Sequence, residues 1–316
     1  MYLLTSVSVA AISMSIVKMT LSQKSKSANS SKNRSAEIQK ISCRPFIKWV
    51  GGKTQLLPQL LERCPDRFKR YHEPFIGGGA FYFALQPKRG WISDINAELI
   101  NVYEVVRDNP KALIQELKKH RYEKDYFYAV RNIDRTEKYK TLSPVARGAR
   151  LIFLNRCCFN GLYRVNSQGQ FNTPFGRYRD PKIVDVPNLM ACSVALAETT
   201  IKNESFLSVE SRAKSGDFVY FDPPYVPLSS TANFTSYSDG GFDEQMQVEL
   251  VELCKRLDKK GVQFMLSNSS APFVLKNTNG AGEPQRLHAK RFLFLERRYS
   301  PNCIAICRIL ESVSMK

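Results

Sequence analysis

The stretch YHEPFIGGGAFYFALQPKRGWISD, residues 71–94, decides the fold. It reads as a short segment, a glycine turn at 77–79, a helix (AFYFALQ) and a strand ending in WISD. Consecutive glycines let the backbone turn into a helix and approach a nucleoside-like ligand closely. Asp94 follows 17 residues after Gly77. In doubly wound sheets an acid about 20 residues past the turn often binds ribose hydroxyls. A glycine run alone is more often an ordinary structural turn; the paired Asp94 brings the ligand reading level with it. The spacing is not G-x-G-x-x-G, which argues against a nicotinamide cofactor.

Working outward, residues 96–107 (NAELINVYEVVR) carry apolar positions at helical spacing. Residues 110–155 are expected to be mostly helical, with Pro110 at a first helical position and Leu113, Ile114 and Leu117 on one face. Upstream, TQLLPQLLER at 54–63 reads as a helix complicated by Pro58. Residues 156–181 have no clear period. Beyond them come a helix near 188–198, a strand at 217–221, a helix near 243–260, a strand at 262–267, and apolar runs near 292–295 and 304–310. Strands alternating with helices on both sides of the middle predict an α/β sheet interrupted by a mainly helical insertion.

The sharpest chemical signal is Val219-Tyr220-Phe221-Asp222-Pro223-Pro224-Tyr225. An apolar strand runs into an aspartate, two prolines and an aromatic. The prolines fix the turn and donate no backbone hydrogen bond, leaving carbonyls free to accept. Asp222 and the Pro223 carbonyl make a pair of acceptors suited to both hydrogens of an –NH2 group. Tyr225 can stack on a flat ring. The exocyclic amine of adenine is a poor nucleophile because its lone pair is delocalised. Two acceptors drawing on its hydrogens favour a pyramidal nitrogen that can attack, which is stabilisation aimed at the transition state. The same residues could equally form a rigid strand-end turn.

Between Arg156 and Arg179 lie Arg164 and Arg177, with Asn160, Asn166 and Asn172, five interleaved aromatics (Phe159, Tyr163, Phe171, Phe175, Tyr178) and no acid. Arg and Asn read guanine and adenine edges bidentately. Aromatics can wedge into a base stack opened by an expelled base. Gly51-Gly52-Lys53-Thr54 is not a P-loop, because Ile47 stands where that motif needs glycine.

Composition agrees. The 316 residues are 43% hydrophobic and 24% charged, which excludes wholesale disorder and collagen-like repeats. Lys and Arg number 47 against 29 acids, a net +18. Residues 18–44 hold seven basic residues and one acid, but 45–316 still carry +12. So basic a body favours a polyanionic partner, nucleic acid before membrane. The first 17 residues are apolar but lack a positive start and are too Ser/Thr-rich and short for a span. Residues 18–42 read as a flexible tail, and Met14 or Met19 would serve as a later start. Eight cysteines show no C-x-x-C pair and there are three histidines, so free thiols and no metal site are expected.

The chain resembles the Dam-type DNA adenine methyltransferases. Phe46-Ile47-Lys48-Trp49-Val50-Gly51-Gly52-Lys53 is similar to the family's N-terminal cofactor motif, and EPFIGGGA (73–80) and Asp94-Ile95-Asn96 to its next two. FNGLYRVN (159–166) and GQFNTPFGRY (169–178) resemble its target-recognition segment. DPPY (222–225) and PLSSTANFTSY (227–237) resemble its catalytic motif and the loop after it.

The resemblance implies a Rossmann-like doubly wound methyltransferase sheet, over 43–107 and 188–316, with target recognition in the insertion 108–187. It implies S-adenosylmethionine as donor, enclosed by Trp49, Lys53, Phe75, Gly77, Gly79 and Asp94. Asp222 and Pro223 would hold the target amine and Tyr225 would stack on a flipped adenine. Arg156, Phe159, Asn160, Leu162, Arg164, Asn166, Asn172, Pro174, Arg177, Tyr178 and Arg179 would meet double-stranded DNA, with GATC as target. Neither a metal, nor a membrane, nor an obligate protein partner is implied, and a cytoplasmic, nucleoid-associated place follows. Action on cytosine or RNA amines, or DNA binding without catalysis, are the alternatives. One departure stands out: after Arg297-Arg298-Tyr299-Ser300 the family pattern calls for a longer polar loop and a final element. Here Pro301-Asn302-Cys303 leads straight into CIAICRIL, so the last hairpin is expected to be abbreviated or altered.

Overall fold

The computed structural model describes residues 41–224, 242–269, 292–296 and 306–308. Tyr225, the loop 227–237, Arg297 to Ser300 and all but the last two residues of the 1–42 tail lie outside the described residues.

Seven strands form one sheet in the order β3-β2-β1-β4-β5-β6-β7. They are β1 (Tyr71–Glu73), β2 (Gly90–Asp94), β3 (Thr199–Asn203), β4 (Phe218–Phe221), β5 (Gln263–Ser269), β6 (Phe292–Glu296) and β7 (Ile306–Arg308). Every neighbouring pair is parallel except β6 with β7. The apolar runs near 292–295 and 304–310 supply β6 and β7, the antiparallel edge; the expected abbreviation of the last hairpin concerns residues that lie outside the described ones.

The parallel core follows from the strands' composition. Phe218-Val219-Tyr220-Phe221 is buried throughout, as a strand covered on both faces must be. Its side chains alternate between two cores. Phe218 and Tyr220 join Tyr71, Ile92 and Met265 on one face. Val219 and Phe221 join Phe264 and Leu266 on the other, under Leu250, Leu253, Cys254 and Leu257 of α9 (Glu244–Lys259).

The remaining helices are α1 (Leu57–Arg63), α2 (Ala80–Leu85), α3 (Ala97–Asp108), α4 (Pro110–Leu117), α5 (Lys124–Arg131), α6 (Pro144–Cys157), α7 (Val186–Leu196) and α8 (Val209–Arg212). Pro58 does not break the upstream helix, because it sits in the first turn of α1, where its missing N–H is no loss. The helices expected over 96–107, 188–198 and 243–260 are α3, α7 and α9.

Helix α6 serves two cores. Leu151 and Ile152 join the sheet's core with Leu113, Ile114 and Leu117 of α4. Phe153, Leu154 and Cys157 join a second core with Phe127, Val130 and Phe171. Residues 156–181, without a period, form a 3-10 turn at Phe159–Gly161 and a tight hairpin closed by the antiparallel bridge Val165–Phe171.

Candidate active site

Strand β1 is the switch point of the sheet. From it the chain runs outward through β2 and β3 to one side, then returns to β4 on the other. In open α/β sheets ligands bind outside the carboxyl ends of the strands at such a point. The carboxyl end of β1 leads into Pro74–Gly79, that of β2 is Asp94, and that of β4 leads into Asp222.

On the β2 side, Asp94 Oδ2 accepts from Gly77 N at 3.2 Å and Oδ1 from Asn96 N at 3.0 Å. The acid predicted from its spacing therefore clamps the glycine turn. Burial pushes Asp94 up to about 6, against the N–H groups of Asn96, Gly77 and Ile95, which favour the carboxylate. Asn96 in turn caps α3 by accepting from Leu99 N at 2.9 Å. Gly79 opens α2, and Tyr103 donates to Gly77 O at 3.0 Å. A Cβ at Gly77 would fall 2.9 Å from Trp49 Cδ1, and φ there is +47°, so only glycine lets the turn pass under the indole. Trp49 stacks on Tyr163 with centroids 4.9 Å apart. Phe75 stacks on Phe206 at 5.2 Å. Beside Asp94, the Ile95 side chain is 70% exposed.

On the β4 side, Lys53 Nζ lies 2.7 Å from Asp222 Oδ1 and donates to Gly51 O at 2.6 Å. Lys53 is buried, and Asp222 is partly covered. Pro223 is buried and Pro224 exposed. Glu73, fully buried at the end of β1, accepts from Tyr71 Oη at 2.6 Å. Burial pushes its carboxyl well above the ordinary range; Tyr71 opposes this, and the nearby Asp222 charge adds to it. Trp49, Lys53, Gly77, Asp94 and Asp222 thus sit on the turns and strand ends around one switch point.

The predicted DNA-contacting residues divide by exposure. Arg164, Arg177, Arg179, Phe159, Asn160 and Pro174 are exposed, Phe159 by 51%. Arg164 Nε donates to Asn172 Oδ1 at 2.6 Å. Asn166 closes the hairpin, accepting from Gln168 N and Gln170 N. Leu162 O accepts from Thr173 Oγ1 at 2.8 Å. Tyr178 donates to Cys158 O at 2.9 Å and lies under Lys48 Nζ, 5.0 Å from its ring. Arg156 points inward, donating to Phe46 O at 2.8 Å, and stands apart from the exposed arginines.

Among the buried polar residues that escape sequence reading, three amides bear on the site. Asn155, fully buried in α6, accepts from Lys48 N and donates to both Lys48 O and Gly161 O. It ties the 46–53 segment to the start of the hairpin. Gly161 at φ +65° is part of this joint, since a Cβ there would meet Lys48 Cδ at 2.3 Å. Gln247 and Asn268 are the others. In the sequence each reads as an ordinary surface amide.

Cys157 and Cys158 are buried and unpaired, and burial pushes both thiols up to about 12, so neither is a nucleophile at neutral pH. No described helix is long and apolar enough to cross a membrane. Among the described residues no three His, Cys, Asp or Glu side chains gather as metal ligands.

A parallel sheet whose switch point gathers a clamped glycine turn, an acid at the end of β2 and a paired aspartate after β4 defines a doubly wound α/β enzyme of the methyltransferase type. The model of the D12 class N6 adenine-specific DNA methyltransferases matches residues 49–288, and the chain belongs to that family. It is 49% identical over 239 residues to the Type II methyltransferase M1.LlaDCHI of Lactococcus lactis subsp. cremoris, covering 74% of this chain and 84% of that protein. It is 43% identical over 244 residues to the Type II methyltransferase M.MjaIII of Methanocaldococcus jannaschii, covering 72% and 84%. Similarity to the DNA adenine methylase of Escherichia coli K12 is 33% over 225 residues, covering 71% and 80%. The protein is an adenine-specific DNA methyltransferase.

Proposed function

We propose that the enzyme transfers a methyl group from S-adenosylmethionine to the exocyclic amine of an adenine flipped out of GATC. The observation that carries this is the convergence of Asp94 and Asp222 on the two sides of one switch point. The residues fit the cofactor. A carboxylate offers about four acceptor positions, and with the N–H groups of Gly77, Asn96 and Ile95 turned to it Asp94 keeps capacity for a ribose hydroxyl. The exposed Ile95 beside it offers an apolar side to a base. Trp49, Phe75, Gly77 and Gly79 would wall the site. When bound, the cofactor supplies an electrophilic methyl group on a positively charged sulfur.

The chain's own groups do the rest. Asp222 and the Pro223 carbonyl accept the two amine hydrogens, so that charge developing on the nitrogen meets preorganised acceptors. Lys53 holds the Asp222 carboxylate in place. Tyr225 stacks on the base. Residues 43–107 and 188–316 act as the catalytic part, and 108–187 as the part that meets double-stranded DNA. There the exposed Arg164, Arg177 and Arg179 reach bases or phosphates, and Phe159 props the opened stack. Such an enzyme works where DNA is, at the nucleoid.

The test is incubation with tritiated S-adenosylmethionine and duplexes with or without GATC, followed by nucleoside analysis. Label in N6-methyladenine from GATC duplexes alone is the expected result. Label in cytosine, in RNA alone, or equally in duplexes without GATC overturns the reading.

A further inference from the structure

The catalytic turn poses a physical problem. Pro223 and Pro224 have no N–H, so the turn after β4 cannot be pinned by its own donors. Lys53 holds it at the Asp222 carboxylate, and its proline residues can accept hydrogen bonds only at their carbonyls. Gln247 Nε2, from the first turns of α9, donates to Pro224 O at 3.0 Å. Gln247 Oε1 accepts from Asn268 Nδ2 at 2.9 Å. Gln247 is 4% exposed and Asn268 2%. Asn268 lies two residues beyond Leu266, which pairs with the last residue of β4, so β5 carries it alongside the turn. Two buried amides cost desolvation unless each hydrogen bond is made, and here the end of the chain of bonds is the turn itself.

We infer that Gln247 and Asn268 are positioning residues. They form an amide relay that fixes the carbonyl of Pro224, and through it the neighbouring acceptor pair Asp222 and Pro223. This deepens the proposed function and rests on it for the role of that pair. Asn268 orients Gln247; Gln247 orients the turn.

The test is single-turnover methylation by Gln247→Met, Asn268→Leu and the double variant, on a duplex the wild type methylates. Removing one partner of a buried hydrogen bond should lower the rate constant roughly tenfold to hundredfold in Gln247→Met. The amplitude and the dissociation constants for cofactor and DNA should stay at wild-type values. Asn268→Leu should lose less, and the double variant should be no slower than Gln247→Met. A loss confined to amplitude, or to melting temperature, would mark a merely structural role and overturn the inference, as would additive losses. The Pro224 carbonyl 13C resonance gives a readout independent of activity. It should shift in Gln247→Met, and an unmoved resonance refutes the relay even if the proposed function itself has failed on every substrate.

Discussion

The switch-point end of the sheet and the 158–178 hairpin solve opposite problems. At the switch point, polar groups are buried and already bonded: Asp94 to the glycine turn, Lys53 to Asp222, Gln247 to Pro224. At the hairpin, Phe159, Arg164 and Arg177 are exposed, and Arg164 bonds a neighbour, Asn172, that is itself part-exposed. Under the proposed function, the first arrangement is preorganised for charge that appears only in a transition state. The second spends little on its own geometry, so its bonds exchange cheaply for bonds to a base or phosphate. Under the proposed function, chemistry is set by burial and reading by exposure.

That contrast predicts a ranking of mutational effects. Asp222→Ala should be the most damaging, lowering single-turnover methylation on the order of 10²–10³ while cofactor affinity stays nearly intact. A wild-type rate in this variant would remove Asp222 from the mechanism.

Asp94 should fail in the opposite way. Asp94→Ala should mainly weaken cofactor binding, measured by titration calorimetry. Its pH dependence sharpens the distinction. Because the folded carboxyl is raised to about 6 from its ordinary 3.8, it takes up a proton as pH falls through about 6. A protonated carboxyl accepts fewer hydroxyl hydrogens, so cofactor affinity should fall below that pH, and Asp94→Asn should lack the step. Linkage runs the other way for stability. The folded state binds this proton more tightly than the unfolded one, so this group's contribution falls as pH rises from about 4 to 6. Affinity independent of pH in the wild type would break the ribose assignment.

Arg164→Ala tests the exposed half. A bidentate arginine–guanine contact is worth about 1–3 kcal/mol of discrimination. The variant should keep its activity on adenine but lose preference between GATC and duplexes with the guanine replaced. A uniform loss with a shallower salt dependence would instead identify a phosphate contact, and Arg177 would be the next candidate reader.

The smallest effect belongs to the tail. Residues 1–42 hold none of the site residues, but Ile41 N donates to the Gln86 side-chain Oε1 at 3.0 Å and Ile41 O accepts from Gln86 Nε2 at 2.6 Å. A chain starting at Ile41 should match the full chain in rate and melting temperature, measured at equal salt. A slower rate would give the tail a part in DNA binding. Starting at Cys43 should cost slightly more, because Gln86 is left at φ +50° without that partner.

β4 and β5 were legible because they are apolar runs, and the longer helices because they carry a 3.6-residue period; β3 was not, because Thr199-Thr200-Ile201-Lys202-Asn203 is an edge-side strand with only Ile201 as a large apolar residue. Spacing singled out Asp94 as an acid for ribose hydroxyls, but its bonds to Gly77 N and Asn96 N were not legible. Other features were hidden for a physical reason. Lys53 and Asp222 meet only when β1 and β4 are side by side, and nothing local announces it. Asn155 is buried against the backbone of Lys48 and Gly161, and Gln247 and Asn268 against each other, while a hydropathy pattern scores all three as surface. The hairpin at 165–171 has no period because its shape comes from Asn166 bonding the backbone of Gln168 and Gln170.

The pairing of β1 with β4 has a kinetic consequence. His72 and Asp217 at this seam are 145 residues apart in the chain, and everything between them must collapse before the strands can zip. Loop closure of that length is slow relative to local helix formation. The seam is therefore among the late joints to close, and the ligand crevice exists only once it has closed. A chain in which β1 and β4 are unpaired has no crevice. Any ligand held there binds the finished fold alone and shifts the folding equilibrium by mass action, so it acts as the last structural member of the sheet.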